Sequence, residues 1–478
     1  ELLIPSIEFV ANSLGFVTGN AQSSSQINST FILPTTLTGL VRNALSHLVG
    51  CQNKSQYSLG LIRGLGANVN EQLQNEIIQF ISKKTGLQLQ GSGEKGVKSH
   101  APLSLTLSPD NKRLISFEDN CRQPDVEGVL QAENGELLLN TSEAQTIQSL
   151  FIPWIENGNH FLLVGPEGSG KHMLLRETLN KLVTGGGGAE IAEVNCSTQT
   201  SANTLADAIK QHSIVLSSAK GRILRPRRGQ RLVLFLSDLH LPRADKYDTV
   251  EPVAFAQQLV TYGGFFDTDL EWTIVEGVQV IVTIVGKDSG SVNEGNDGIG
   301  GNDNQSSSSS SSQSSDSLLS PRFVANVRVA SVPHPRQSSL TTVYTNMIEA
   351  ITKQLRHRQI NSSQLSQAMV ELYTRIQKQF TIAQHTHYCF TPRDLTRWVV
   401  GLGRYDTETS GLSSIVQDLK LGGIEGITST DDQDSLGLIL AWIHEALRIF
   451  RDRLDNKTPL PSSMNDPISL FPLPYAEI

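Results

Sequence analysis

Gly165-Pro166-Glu167-Gly168-Ser169-Gly170-Lys171 is the stretch on which the fold turns. Glycines let a chain curl so that its backbone N–H groups face an anion, and a lysine closing the curl reaches the outer phosphates of a nucleotide. His160–Val164, just before it, is a short apolar run of strand length. His172–Val183, just after it, carries Met173, Leu174, Leu175, Leu179 and Leu182 on one side of a helix. Strand, loop and helix in this order aim the helix N-terminus at the same anion. Residues 165–171 are therefore read as a phosphate-binding loop for a purine nucleotide.

Working outward, Ile191–Val194, Arg231–Leu236 and Val278–Val285 are further strand candidates separated by helical stretches. That alternation predicts an α/β domain, a parallel sheet covered by helices, over 138–332. Residues 1–90 read as helical, with Leu37, Leu40, Val41, Ala44, Leu45 and Leu48 in one periodic run and Leu73, Ile77, Ile78 and Ile81 in another. The glycine-punctuated run from Leu61 to Asn68 is read as the connection between them. Residues 91–137 are mixed and polar, and read as a connector. Residues 286–317 are too rich in Ser, Gly, Asn and Asp to supply a core, and are expected to form a disordered insert, with a phosphorylated regulatory tether as the functional alternative. Residues 333–455 turn helical again in Leu340–Leu355, Ser363–Phe380, Pro392–Leu402 and Leu436–Leu454. A P-loop α/β domain followed by a helical lid is the outline of an AAA+ module.

The chain has 478 residues and a net charge of −8, a balance that disfavours nucleic acid or an anionic membrane surface as the main partner. Its four cysteines form no C-x-x-C pair, so neither a zinc site nor a disulfide framework is suggested, and a reducing, intracellular compartment fits. The apolar runs are too short to span a bilayer, so no membrane insertion is expected. The sequence opens on Glu-Leu-Leu-Ile without Met or signal peptide and reads as a piece of a longer chain.

The chemistry beyond the loop departs from the hydrolytic pattern. A P-loop lysine is followed by Ser or Thr, whose hydroxyl holds Mg²⁺, but here the position is His172. An imidazole can ligate a metal, though it suits softer ions; the plainer reading is a helix N-terminal residue near solvent. A second element, an apolar strand ending in Asp-Glu, is expected to orient Mg²⁺ and polarise the attacking water. The run from Leu232 to Pro242 places Ser237 at the Asp position and Asp238 at the Glu position; a slip of one residue makes Asp238 the metal ligand and Leu239 the base. Asp238 is thus a degraded base and a weak Mg²⁺ ligand, or else a residue capping a core strand. Where a polar side chain ordinarily helps hold the water, the strand Val278–Val285 ends in Val285. Arg322 has the setting of an arginine finger toward a neighbouring module, or of an arginine snorkelling at a helix end. Arg393, just inside a helix opened by Pro392, is placed to point back at the phosphates. The basic run of Arg222, Arg225, Arg227, Arg228 and Arg231 reads as a solvated loop, and His444 with Glu445 as packing and surface residues.

Five segments now stand in register: GPEGSGKHMLLR, RLVLFLSDLHLPRADKYDT, LVTYGGFFD, FTPRDLTRWVVGL and WIHEALRIFRDRL. Together they resemble dynein heavy chains, in the order and spacing of the third AAA+ module of the motor ring, while Leu59–Asn70 resembles the helical end of the second. Within that family the chain is most similar to the cytoplasmic dyneins of intraflagellar transport. The resemblance implies domains at 1–90 (lid end of the preceding module), 91–137 (connector), 138–332 (nucleotide-binding α/β domain), 333–455 (lid) and 456–478 (connection to the next module). It implies a parent that is an ATP-driven, minus-end-directed microtubule motor for retrograde transport. That parent would be located in the cytoplasm, cytoskeleton and cilium, with neighbouring modules, microtubules and dynein accessory chains as partners. It also implies that Asn140 and Thr141 lie near the adenine, that Gly165 to His172 grip the phosphates of ATP or ADP with Mg²⁺ as a candidate ion, that Arg322 serves the second module's nucleotide and that Arg393 serves this module's own.

His172, Ser237, Asp238 and Val285 together lead to the expectation of a regulatory module that binds nucleotide and hydrolyses it weakly or not at all. Each weakened acid–base role costs of order 10²–10⁴ in rate. The alternatives are a hydrolytically competent ATPase module with Asp238 as base, and a nucleotide-free scaffold of the ring.

Overall fold

The structure, a computed structural model, describes residues 2–13, 31–86, 88–89, 102–108, 113–121, 124–131, 137–185, 188–218, 221–228, 230–286, 319–354, 361–382, 384–403 and 430–454. The Ser-rich insert, apart from Gly286, and the connection over 456–478 lie outside these residues. The chain divides into two compact units, residues 1–117 with 142–334 and residues 118–141 with 335–478.

The first unit is built on five strands: β1 (Phe161–Gly165), β2 (Ala189–Asn195), β3 (Arg231–Ser237), β4 (Val278–Val285) and β5 (Arg328–Ser331). Among the described residues they form one sheet in the order β5-β1-β4-β3-β2, every neighbouring pair parallel. Parallel strands covered on both faces read as unbroken apolar runs, and β1 is buried along its whole length. One face carries Leu162, Val164, Leu234, Leu236, Val282 and Ile284 into a core with helices Ala202–Gln211 and Glu251–Tyr262. On the other, Phe161 packs its ring against Phe151 and Trp154 of helix Ser142–Glu156. This is the helix-covered parallel sheet expected from the sequence.

A second, four-stranded sheet was not anticipated. It contains Ser213–Ser218, Gly221–Pro226, Trp272–Val275 and Gly264–Phe266, in that order. It also corrects the reading of the basic run as a solvated loop. Arg222 lies in a strand and pairs with Asp267 at 3.3 Å and Glu271 at 3.1 Å, and Arg225 pairs with Glu276 at 2.7 Å. The acidic partners come from the strand ends and turns of the same sheet, some 40 to 50 positions further along the chain, where sequence spacing gives no hint of them.

Residues from the N-terminal helices Leu37–Ser46, Lys54–Gly66 and Glu71–Thr85 belong to this same unit. The glycine-punctuated run at 61–68, read as a connection, is largely helix. At Gly64 a Cβ would come within 2.7 Å of the Ala44 Cα and 2.9 Å of the Asn43 carbonyl oxygen, so the glycine lets two helices touch backbone to backbone. Helix Leu37–Ser46 closes the sheet's outer edge. The Asn43 amide donates to the Val329 carbonyl at 2.7 Å and accepts from the Val329 N–H at 3.0 Å, and the Ser331 N–H donates to the Ala67 carbonyl at 2.7 Å. Asn43 thus supplies to β5 the pairing that another strand would give. The interval read as a connector holds two strands, Leu105–Leu107 and Arg113–Ser116, which form a small sheet with Gln88–Leu89.

The second unit comprises helix Val126–Gln131 and helices Gln337–Gln354, Ser362–Gln379, Pro392–Leu402 and Thr430–Phe450, where helical periodicity placed the lid. Pro392 opens its helix behind a reciprocal Thr391/Asp394 capping box. Trp398 and Trp442 pack in the core, and the Trp398 indole N–H donates to the Trp442 carbonyl at 2.9 Å. Among the described residues no helix is long and apolar enough to cross a membrane.

Candidate functional site

The loop leaves β1, which lies between β5 and β4 in the sheet. A side chain at Gly165 would place its Cβ 2.1 Å from the Val332 carbonyl oxygen, so only glycine lets the strand turn there. Gly168 and Gly170 have φ of 75° and 82°, the left-handed region that points successive N–H groups inward. Gly170 is the N-cap of helix Lys171–Thr184 and has no side chain to cap it. The first-turn N–H groups, with the positive end of the helix dipole, are thereby left for an anion at the loop. Lys171 is 8% exposed, and its ammonium donates to the Gly165 carbonyl at 2.6 Å and the Pro166 carbonyl at 2.8 Å. Ser169 is buried beside it at 3.5 Å, while Glu167 is exposed. Backbone donors and a charged side chain therefore converge on one loop with the chemistry of a phosphate grip.

The neighbouring corner is built differently. His172 is near solvent at the helix start, its side chain 41% exposed, and it also has partners. Its Nδ1 is 3.2 Å from the Ser237 hydroxyl, its Nε2 3.2 Å from a Glu193 carboxylate oxygen, and its ring lies 5.2 Å from that of Phe235. β3 and β2 run side by side, with Asn195 in register with Ser237, so one strand supplies the serine and its neighbour the glutamate.

Asp238 follows at once with φ 55°, an uncommon conformation for a residue with a side chain. Its N–H donates to the Thr283 hydroxyl at 3.2 Å, and the Leu239 N–H to the Thr283 carbonyl at 3.2 Å, so β4 holds the turn. Burial, with the Asp238 charge second, pushes the Cys196 thiol up to about 11, which leaves it protonated and inert. His240 is held below the usual imidazole range chiefly by burial, and the charges of Asp238, Lys171 and Glu167 all act on it. Its imidazole therefore belongs to the same neighbourhood. Val285 stands in register with Gly165 and has no hydrogen-bonding group.

The structure thus brings together Gly165 to His172, Ser237, Asp238 and Val285. It adds Glu193, Thr283 and His240, which no motif flagged. Thr283 was visible as one of two polar residues, with Gln279, in the run VQVIVTIV; Glu193 gave no signal, since its role depends on strand adjacency. Arg322 lies on helix Pro321–Asn326 and donates to the Tyr262 hydroxyl at 3.3 Å. Asn140, Thr141 and Arg393 belong to the second unit, Arg393 and Asn140 exposed and Thr141 buried.

Mg²⁺ demands an octahedral shell of oxygens. At the hydroxyl position stands an imidazole whose two nitrogens face Ser237 and Glu193, and at the carboxylate position stands a neutral serine. This donor set does not fit the ion. Among the described residues no group of three or more His, Cys, Asp or Glu side chains is arranged to hold a metal.

Comparison with known proteins gives three family matches: "P-loop containing dynein motor region" over residues 130–294, "Dynein heavy chain, ATPase lid domain" over 344–458, and "Cytoplasmic dynein 2 heavy chain 1, AAA+ ATPase domain" over 20–84. The chain is 32% identical over 434 residues to cytoplasmic dynein 2 heavy chain 1 of Mus musculus, a match covering 89% of this chain and 9% of that protein. The protein of the same description from Chlamydomonas reinhardtii is 32% identical over 423 residues, covering 88% of this chain and 8% of its own length. That from Caenorhabditis elegans is 27% identical over 379 residues, covering 79% and 8%. The chain spans about 9% of the length of the curated relatives it matches.

Proposed function

This chain belongs to the dynein heavy chain family, as an AAA+ motor-region segment with its lid, and on that footing we propose that it is a regulatory nucleotide-binding module of a motor ring, one that holds ATP or ADP and hydrolyses it slowly or not at all. The observation that carries this reading is the pairing of a complete phosphate grip with a corner in which His172 and Ser237 stand where a metal-holding hydroxyl and carboxylate would be. Asp238 is the remaining carboxylate at the base position. Its reach is shorter than a glutamate's, and Val285 offers the water no hydrogen bond.

In this reading residues 1–90 are the lid end of the second module, 138–332 and 333–455 the α/β domain and lid of the third. On the family resemblance, Asn140 and Thr141 are assigned to the adenine, Arg393 to this module's phosphates and Arg322 to the preceding module's nucleotide. The close seating of helix Leu37–Ser46 beside the Arg322 helix supports the last assignment, since the Arg42 guanidinium donates to the Asn326 carbonyl at 2.9 Å. The parent chain is a minus-end-directed microtubule motor for retrograde intraflagellar transport, working in the cytoplasm and cilium with dynein accessory chains. The module's nucleotide state biases packing between its neighbours, a coupling between sites rather than the main chemistry.

The test is turnover and binding by this chain. The expected result is ADP and ATP binding with phosphate release near background. Brisk release that disappears in Lys171→Ala would overturn the reading in favour of a working ATPase, and an Asp238→Asn variant that traps ATP would mark Asp238 as its base.

A further inference from the structure

The corner beside the grip has a use beyond lost hydrolysis. In an ordinary P-loop the metal bridges phosphate oxygens and offsets their charge, so nucleotide and metal bind as one body. Here the residue after Lys171 brings an imidazole where a metal-holding hydroxyl would stand. The His172 imidazole, 41% exposed, has the Ser237 hydroxyl at 3.2 Å, the Glu193 carboxylate at 3.2 Å and the Phe235 ring at 5.2 Å. Ser237 itself is 5% exposed, and its carbonyl accepts from the Cys196 N–H at 2.9 Å, so it has little room to move aside. An imidazole held between a hydroxyl and a carboxylate links the helix start, β3 and β2, the elements that a metal would otherwise tie together through the nucleotide.

We infer that this site takes its nucleotide without Mg²⁺, with the Ser237–His172–Glu193 bridge occupying the metal's corner. The proposal rests on the reading of residues 165–171 as a nucleotide grip and adds the form in which the ligand arrives, the free diphosphate rather than its magnesium complex. The grip keeps every part that needs no metal: the loop N–H groups, the uncapped helix N-terminus and the Lys171 ammonium. What it lacks is a hydroxyl at position 172 and a carboxylate at position 237 to take over part of a metal's shell. Mg²⁺ in solution sequesters free ADP, so a site of this kind binds no tighter when the metal is added and binds more weakly when the metal is in large excess.

Calorimetric titration of this chain with ADP, once in EDTA and once with Mg²⁺ in excess over the nucleotide, decides the matter. The expected dissociation constants agree to within about threefold, or the one in Mg²⁺ is the weaker. A tenfold or greater tightening by Mg²⁺, about 1.4 kcal/mol, overturns the inference while leaving the nucleotide grip standing. No heat in either condition overturns the grip itself, and this inference with it. The paired reversion His172→Thr with Ser237→Asp gives the opposite pattern, with ADP bound roughly tenfold tighter in Mg²⁺ than in EDTA. A reverted chain that folds, binds ADP and still ignores the metal would show that this corner does not decide the matter, and would also overturn the inference. The unsubstituted chain's two titrations stand whether or not the reverted chain folds.

Discussion

The two ends of the site differ in kind although they are built on one sheet. The grip is made mainly of backbone: glycines in left-handed conformations, a helix start without a cap, and one lysine. The opposite corner is made of side chains, and four of them, His172, Ser237, Asp238 and Val285, depart from the pattern expected of a hydrolytic site. Backbone geometry is fixed by the sheet and its core, so it survives substitutions that change side-chain chemistry. On the proposed reading, the fold keeps its hold on phosphate while the means to cleave it is lost. Binding and hydrolysis are separable because different parts of the polypeptide carry them.

Acid has the largest expected effect, because it attacks the platform beneath both ends. His47 is buried against Trp154, and burial, with Arg63 second, lowers it to about 3. His160 directly precedes β1 and accepts the Val280 N–H at 3.0 Å; burial, with Arg328 second, lowers it to about 4. Both are neutral in the fold and take a proton once unfolded. Their contribution to stability is complete above the ordinary histidine value of 6.5 and is lost as pH falls through the interval from there to about 4 and 3. At pH 5 the loss is on the order of 2 kcal/mol for each. Denaturant melts across that range should show it, with ADP binding lost along with the fold; a flat profile would mean that the platform is not titratable.

Lys171→Ala comes next and strikes the grip alone. Removing charge-assisted hydrogen bonds of about 1.5–3 kcal/mol should weaken ADP by roughly 10- to 100-fold without unfolding the chain, as calorimetry and circular dichroism would show. Thr283→Val is the smallest and strikes only the other corner. It leaves the Asp238 N–H without its acceptor, costs about 1–2 kcal/mol of stability and leaves ADP affinity unchanged. If Thr283→Val weakened ADP as much as Lys171→Ala, the two ends would be one.

The sheet and the grip were legible in the sequence because both are local. β1, the loop and its helix are contiguous, and buried parallel strands announce themselves as apolar runs. The lid helices were legible for the same reason, with Pro392–Leu402 read to its observed ends. What stayed hidden was made by contacts between distant parts of the chain. The arginines of the Gly221–Pro226 strand look solvated until Asp267, Glu271 and Glu276 arrive beside them. The partner of the half-exposed His172, Glu193, appears only when β2 is laid beside β3. Gly64 looks like a break because glycine ends helices more often than it lets two of them meet.

The Asn43 clasp on β5 bears on how the protein can be cut. Every outward N–H of that short strand is met from the N-terminal segment, Val329 by the Asn43 side chain and Ser331 by the Ala67 carbonyl. A chain trimmed to begin at residue 138 would keep the P-loop and the five strands but bare that edge. Bare edges recruit strands from other molecules. The boundary suggested by the nucleotide motif is thus a poor place for scissors, and the helices ahead of it serve as the sheet's guard against aggregation.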